Sequence, residues 1–463
     1  MTFNFEDTIT ALATPQGSAA IAVIRISGKK SFSICEKFTF TKFNEPIIFS
    51  EKKGYTVHHA VILDKGTIYD EVLMTVFKSP VSYTGEDSIE ISCHGSVYIQ
   101  QQILQLLLKH GARMAMPGEF TLRAFLNGKF DLSQAEAVAD LIAGNSALSH
   151  QVAMQQMRGG FSSKIKLLRD HLVNFASLIE LELDFSEEDV EFANRDDLKK
   201  LILSITSIIE KLVRSFDVGN VIKNGIPVAI VGKPNAGKST LLNILLNDER
   251  AIVSEIPGTT RDIIEDEMVI DGVLFRFIDT AGLRTTTDII EQMGVNKAME
   301  VIRKSAIIIY LFDVHELSSG DLKIETDIIK QHMGSSQLVI VANKIDVENV
   351  EELKKEFQDF KVIYVSAKEG THIQELKNKL IQLFDSRTVN TTETVVTNAR
   401  HHHSLKLSLD ALMKVLKGLD ENIPGDLLAL DVRYALNELG GITGEVTSDN
   451  LLENIFSKFC IGK

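Results

Sequence analysis

Residues 227–240 read Pro-Val-Ala-Ile-Val-Gly-Lys-Pro-Asn-Ala-Gly-Lys-Ser-Thr, an apolar run of buried-strand character that breaks into glycines and ends on a lysine and two hydroxyls. Gly232, Gly237, Lys238 and Ser239 keep the G-x-x-x-x-G-K-S spacing of a triphosphate-binding loop. The chemistry requires these residue types. Glycines let backbone N–H groups close around phosphate oxygens, a lysine reaches the outer phosphates, and a serine hydroxyl can ligate Mg²⁺. Asn235, Ala236 and Thr240 complete the loop. A strand feeding such a loop and then a helix predicts an α/β domain with a mostly parallel sheet.

Two later segments narrow the nucleotide. Asp279-Thr280-Ala281-Gly282 follows the alternating strand 273–278, so an acid at a strand end can hold the metal through water while the glycine brings its N–H to the terminal phosphate. Asn343-Lys344-Ile345-Asp346 follows the apolar run 338–342. A carboxylate at Asp346 can accept from both guanine N1–H and the N2 amino group, a pair of donors that adenine lacks, and such matching discriminates by about 10⁴ or more. Ser366-Ala367-Lys368, after the run 362–365, is placed to line the base. The base expected is guanine.

At 463 residues the chain is too long for one core. Its 44% apolar and 24% charged residues are those of a globular protein, and the acidic start together with the lack of any long apolar run predicts a cytoplasmic location without membrane segments. Cys35, Cys93 and Cys460 show neither metal-ligand spacing nor an even count, so reduced thiols are expected. The 49 basic and 63 acidic residues give a formal charge of −14, which argues against broad nonspecific affinity for nucleic acid. Any RNA partner must be held by a local patch or with a second protein. The clusters Glu187-Glu188-Asp189 and 351–356 read as solvated helix faces.

Short alternating stretches at 20–26, 72–77 and 88–92, with a helix carrying Ile99, Ile103, Leu106 and Leu107, predict an α+β domain over 1–118 that closes at the turn Pro117-Gly118. Helical patterns then run over 119–221. Ser133 and Glu136 read as a capping box, and Leu198, Leu201, Ile202, Ile205, Ile208, Ile209 and Leu212 form one apolar stripe. The nucleotide motifs occupy 222–384, and helical pattern returns over 385–463. Helix, guest domain, helix: the simplest solution is an all-α domain with the α/β GTPase domain inserted into it.

Outside the nucleotide motifs, Ala13-Thr14-Pro15-Gln16-Gly17, Arg25-Ile26-Ser27-Gly28, Tyr83-Thr84-Gly85-Glu86-Asp87, His94-Gly95, Pro117-Gly118-Glu119-Phe120, Arg123-Ala124-Phe125-Leu126-Asn127, Gln134-Ala135-Glu136-Ala137 and the terminal Cys460-Ile461-Gly462-Lys463 carry a resemblance over the whole length. The chain resembles the MnmE (TrmE) family of bacterial tRNA-modification enzymes, within the TrmE-Era-EngA-like GTPases. The resemblance implies a folate-binding N-terminal domain, a helical domain and an inserted GTPase. It implies a homodimer that forms a heterotetramer with the FAD protein MnmG (GidA), FAD belonging only to that partner. The pair adds a carboxymethylaminomethyl or aminomethyl group to C5 of the wobble uridine of certain tRNAs, drawing one carbon from 5-formyl- or 5,10-methylene-tetrahydrofolate.

Carried over by position, the resemblance assigns folate to Arg25, Glu90, Lys129 and Lys463. From the residues alone, Arg25 and Glu90 read as strand residues with outward charges, Lys129 as a loop lysine and Lys463 as a solvated terminus. Cys460 reads either as a thiolate near the folate or as a small buried residue at a helix end, and no catalytic role is assigned to it.

The position after Asp279-x-x-Gly282, where many GTPases carry a water-orienting glutamine, is Leu283 here. The resemblance implies that K⁺ sits against the phosphates on Asn235, Ser254, Ile256 and Thr259, within a nucleotide-binding loop that also includes Glu255, Pro257 and Gly258. Thr260 is implied as the Mg²⁺ ligand beside Ser239, and Glu291 as the acid that positions water; Lys238 and Asn235 complete the implied catalytic set. A regulatory RNA-binding GTPase of ribosome assembly fits the nucleotide motifs almost as well, and a folate-dependent methyltransferase with an incidental GTPase is a third reading. The N-terminal third and the terminal Cys-x-Gly-Lys separate the first reading from the assembly factor.

Overall fold

Residues 6–184, 195–247, 265–279, 301–334, 336–347, 350–383, 394–421 and 423–462 are described in the computed structural model. Two compact units divide the chain: Met1–Ala139 with Gln155–Thr206 and Leu407–Lys463, and Asp140–Met154 with Ser207–Lys406. In the first unit, seven strands form one sheet in the order β3-β4-β5-β6-β2-β1-β7. These are β1 (Ile9–Leu12), β2 (Ile21–Ser27), β3 (Thr39–Phe40), β4 (Thr56–Asp64), β5 (Thr67–Phe77), β6 (Ser88–His94) and β7 (Arg113–Met114). All pairings are antiparallel except β1 with β7.

Alternation decides which face is buried. Ile24 and Ile26 of β2 and Ile89 and Ile91 of β6 point into a core closed by Ile103, Leu106 and Leu107 of helix α2 (Val97–Lys109), with the short α1 (Ser31–Cys35) beside it. Arg25 and Glu90 lie on the other face as register partners.

After the Pro117-Gly118 turn, α3 (Glu119–Leu126) and α4 (Leu132–Ala143) share a cluster with the C-terminal helix, through Leu122, Leu132, Leu452 and Phe456. Gly118 has φ +67, and a Cβ there would lie 2.5 Å from the Phe456 carbonyl, so only glycine makes this turn. The expected capping box is displaced. Ser133 lies inside α4, and Asp131 caps it: Asp131 Oδ1 accepts from the Gln134 N–H at 2.9 Å, while Gln134 Oε1 accepts from the Asp131 N–H at 3.0 Å. A carboxylate outcompetes a serine here because it also meets the positive end of the helix dipole.

Motif residues of this unit form a buried ion network. Arg123 is 1% exposed and donates to Asp7 (2.6 Å), Glu119 (3.0 Å) and Glu86 (3.2 Å), and Arg113 also grips Glu119 at 2.7 Å. Burial pushes the Glu119 carboxyl up, but Arg113, the Met116 N–H and Arg123 together hold it below its ordinary range. Removing one partner of such a cluster costs about 3–5 kcal/mol.

The long helices α5 (Ala147–Met157), α6 (Gly160–Asp184) and α7 (Arg195–Asn224) follow. Leu198, Ile202, Ile205, Ile209 and Leu212 of the α7 stripe are buried, while Leu201 and Ile208 are half-buried. The Glu187-Glu188-Asp189 cluster lies outside the described residues.

In the second unit the sheet order is β13-β12-β11-β8-β10-β9, parallel except for the β9–β10 hairpin. Its strands are β8 (Ile226–Val231), β9 (Glu265–Ile270), β10 (Val273–Asp279), β11 (Ile307–Asp313), β12 (Gln337–Asn343) and β13 (Val362–Tyr364). The central strands are buried on both faces, as parallel sheets require, and every residue of β11 is buried. Helices α8 (Lys238–Asn247), α9 (Ser319–His332), α10 (Val350–Glu356) and α11 (Ile373–Leu383) follow strands in alternation. In α10, inside the 351–356 charge cluster, Lys354 pairs with Glu351 and only Leu353 is buried. Helices α12 (Ala399–Asp420), α13 (Gly425–Thr443) and α14 (Asp449–Phe456) end the chain.

Candidate functional site

The described nucleotide motifs all lie at the C-terminal ends of the parallel strands, where open α/β sheets build their sites. The loop 232–237 leaves β8 and enters α8 at Lys238. Its geometry is set by close approach. A Cβ on Gly232 would stand 2.0 Å from the Leu311 carbonyl of β11, and one on Gly237, where φ is +96, would stand 2.3 Å from Asn343 Nδ2. Asn235 takes φ +62, a conformation asparagine tolerates better than most residues. Lys238 Nζ donates to the Gly232 and Lys233 carbonyls, each at 2.8 Å, which folds the lysine across the loop. Ser239 and Thr240 expose their side chains at the first turn of α8, while Ala236 is buried. A glycine-opened backbone, an N-terminal helix turn and a lysine over the loop fit a triphosphate.

Asn343 ties this loop to the far side of the site. It is buried at the end of β12; its Nδ2 donates to the Ala236 carbonyl at 2.8 Å and its Oδ1 accepts from the Ala367 N–H at 2.9 Å. One side chain thus fixes the spacing between the phosphate loop and the 366–368 turn. Asp346 accepts from the Ser366 hydroxyl at 2.8 Å, and this bond, with its own backbone N–H, holds its carboxyl below the ordinary range. The carboxylate is therefore ionised and oriented, as an acceptor for two guanine donors must be. Lys344, at φ +69, has its ammonium 2.5 Å from Asp313 Oδ2 at the end of β11. Lys368 is exposed. The sequence reading did not single out Asp313, although an acid closing an apolar strand run was the available signal.

Of the other expected residues, Asp279 closes β10 beside Ile230 in register. Ser254, Glu255, Ile256, Pro257, Gly258, Thr259, Thr260, Thr280, Ala281, Gly282 and Glu291 lie outside the described residues, as does Lys463. Among the described residues, those expected around magnesium or potassium are Ser239, Asn235 and, through water, Asp279.

On the first unit's sheet, the outward charges expected of Arg25 and Glu90 are instead a half-buried pair. Arg25 donates through Nε and one Nη to Glu90 Oε1 at 2.9 and 2.7 Å, and its guanidinium lies 5.1 Å from the Tyr83 ring centre and 5.5 Å from that of Phe120. Tyr83 also contacts Phe130, next to Lys129, whose own ammonium donates to the Pro80 carbonyl at 3.1 Å. A cation, a carboxylate and aromatic faces on one sheet surface suit a flat, polar heterocycle bearing carboxylates. Cys35 and Cys93 are buried and burial pushes the Cys93 thiol up to about 11, whereas Cys460 is exposed, which excludes its reading as a buried filler. The C-terminal segment packs on β1: a Cβ on Gly462 would lie 2.3 Å from the Leu12 carbonyl, and Leu12 neighbours Ile24 of β2. The residue before Lys463 is thereby set one strand away from Arg25. No described helix is long and apolar enough to cross a membrane.

Comparison with known proteins places these features in a lineage. The profile of the MnmE helical domain matches residues 132–460, and that of the GTP-binding protein TrmE N-terminus matches residues 8–129. The tRNA modification GTPase MnmE of Flavobacterium johnsoniae is 55% identical over 465 residues, covering 99% of each chain. That of Cytophaga hutchinsonii is 54% identical over 461 residues, covering 99% of this chain and 98% of the relative. Among solved structures, Aquifex aeolicus Era bound to GDP and aluminium fluoride is 26% identical with a TM-score of 0.28, over 40% of this chain and 66% of that one.

Proposed function

The chain belongs to the MnmE (TrmE) family of tRNA modification GTPases, and from that premise we propose that it is a potassium-stimulated GTPase acting with a flavoprotein partner (MnmG/GidA) on the wobble uridine of certain tRNAs. The observation that carries the reading is the Asn343 bridge between the phosphate loop and the 366–368 turn, which makes guanine and triphosphate recognition a single rigid site. The product is a carboxymethylaminomethyl or aminomethyl group on C5, with the carbon taken from a tetrahydrofolate. The reaction belongs in the cytoplasm.

Within the GTPase site, the proposed roles follow from charge and reach. Lys238 would meet the outer phosphates, Ser239 and Thr260 would hold Mg²⁺, Asp279 would hold that ion through water, and the Gly282 N–H would reach the terminal phosphate. Asn235, with Ser254, Ile256 and Thr259, would hold K⁺, whose positive charge would supply what an arginine finger supplies elsewhere, worth roughly 10³–10⁵ in rate. Glu291 orients the attacking water. Thr260 would also sense the terminal phosphate.

The Arg25–Glu90 pair under Tyr83 and Phe120, with Lys129 and Lys463, is the proposed folate site. Glu90 can accept from donors on the pterin while the cations meet the glutamate tail or the ring oxygen. The proposed assembly is a homodimer through the N-terminal domains, joined by the flavoprotein into a heterotetramer. The GTPase domain, 222–384, is inserted into a helical domain made of 119–221 and 385–463, so pairing and separation of GTPase domains reposition the helices.

The cation is tested by the hydrolysis rate of the full chain in KCl and in NaCl. Wild type is expected to be stimulated by K⁺, and Asn235→Ala is expected to lose that stimulation while binding GDP nearly as well. Stimulation of the variant by K⁺ over Na⁺ would remove the cation site from the proposal.

A further inference from the structure

Asp313 is the last residue of β11, in register with Asn343, and its side chain is 4% exposed. One carboxylate oxygen takes the Lys344 ammonium at 2.5 Å and the other accepts the His315 N–H at 3.0 Å. Burial pushes this carboxyl up, but the Lys344 ammonium and the His315 N–H outweigh that and hold it below its ordinary range. The acid is held through both oxygens, and the lysine, 40% exposed, is the more accessible member. The pair therefore anchors the lysine.

What the lysine does when released follows from its surroundings. Lys344 lies two residues from Asp346, whose negative charge also favours its ammonium, together with that of Glu316. Asp346 carries the acceptor that guanine needs. An untethered Lys344 can pair with Asp346 and compete with the two base donors, whereas a tethered one leaves that carboxylate to its Ser366 bond and the base.

We propose that Asp313 is a positioning residue of the guanine site: it holds the Lys344 ammonium away from Asp346 and so keeps the base-reading carboxylate open. The assignment rests on reading 343–346 as the guanine site. It adds a residue from a neighbouring strand whose effect is exerted entirely through Lys344.

The test is the affinity of the full chain for fluorescent GDP in a double-mutant cycle of Asp313→Asn and Lys344→Met. The asparagine keeps the shape of the side chain and an acceptor for the His315 N–H, and melting without nucleotide checks that the variants fold. Asp313→Asn alone is expected to weaken GDP about tenfold to a hundredfold, with kcat at saturating GTP falling far less than KM rises. In the Lys344→Met background, Asp313→Asn is expected to cost almost nothing further. An unchanged affinity in the single variant, or the same loss with and without Lys344, overturns the proposal. Asp346→Asn separates this failure from failure of the underlying site. If that variant exchanges guanine for xanthine while Asp313→Asn is silent, only the role of Asp313 is wrong; if it leaves base preference untouched, the guanine site itself is wrong.

Discussion

Asp346→Asn is expected to lower affinity for GTP by about 10³–10⁴ and to make xanthosine triphosphate the preferred nucleotide. In the proposed site the carboxylate would accept two hydrogen bonds from guanine, and an asparagine offers one acceptor and one donor in the same volume. The donor then faces the guanine amino group, a clash of two donors. Xanthine carries a carbonyl where guanine carries that amino group, so the mismatch is relieved. The Ser366 hydroxyl holds the Asp346 oxygen at 2.8 Å and can hold the amide oxygen of the substituted side chain in the same way, so the exchange tests recognition and leaves folding alone. Competition of GTP and XTP for a fluorescent nucleotide reads the result. A variant that keeps its preference for GTP would contradict the placement of the base.

The second large effect is expected from Gly232→Ala, which should abolish nucleotide binding and destabilise the GTPase unit by more than about 3 kcal/mol. Its Cβ would meet the Leu311 carbonyl at 2.0 Å. That carbonyl belongs to β11, and next to it Ile309 and Tyr310 pair in register with Ile230 and Val231 of β8, so it cannot retreat without prising the central strands apart. A flexible neighbour could have swung away, whereas a paired backbone cannot. Gly320→Ala is the control, since the nearest atom outside its own helix backbone is Ser318 Oγ at 3.8 Å. It should be close to neutral in thermal melting and should bind nucleotide normally.

Placement in the fold is legible where chemistry leaves little choice. The glycine-lysine-serine loop, the Asp279 strand end and the Asn343 to Asp346 run each need particular residue types at fixed spacing behind an apolar strand, and the parallel sheet follows from that alternation. It is not legible where partners are distant in sequence. Arg25 and Glu90 are separated by 65 positions and meet only because β2 and β6 are neighbours, so nothing local distinguishes their pairing from two exposed charges. Asp313 and Lys344 meet by the same kind of adjacency between β11 and β12. The cap of α4 lies two residues before the expected one because Ser133 and Glu136 satisfy the same pattern as Asp131 and Gln134, and only geometry decides between them. The motif residues Glu86, Glu119 and Arg123 carry the resemblance without revealing that they form one buried ion network.

Coupling of GTP turnover to tRNA chemistry is tested most directly by mass spectrometry of wobble nucleosides from cells lacking this chain, complemented either with wild type or with Lys238→Ala. The loop lysine already spans the phosphate loop through the Gly232 and Lys233 carbonyls, and its loss is expected to stop hydrolysis. The expected result is wobble uridine lacking its C5 aminomethyl-type substituent in the deletion, restored by wild type and not by the variant. Full modification without the chain, or equal restoration by Lys238→Ala, would contradict the account.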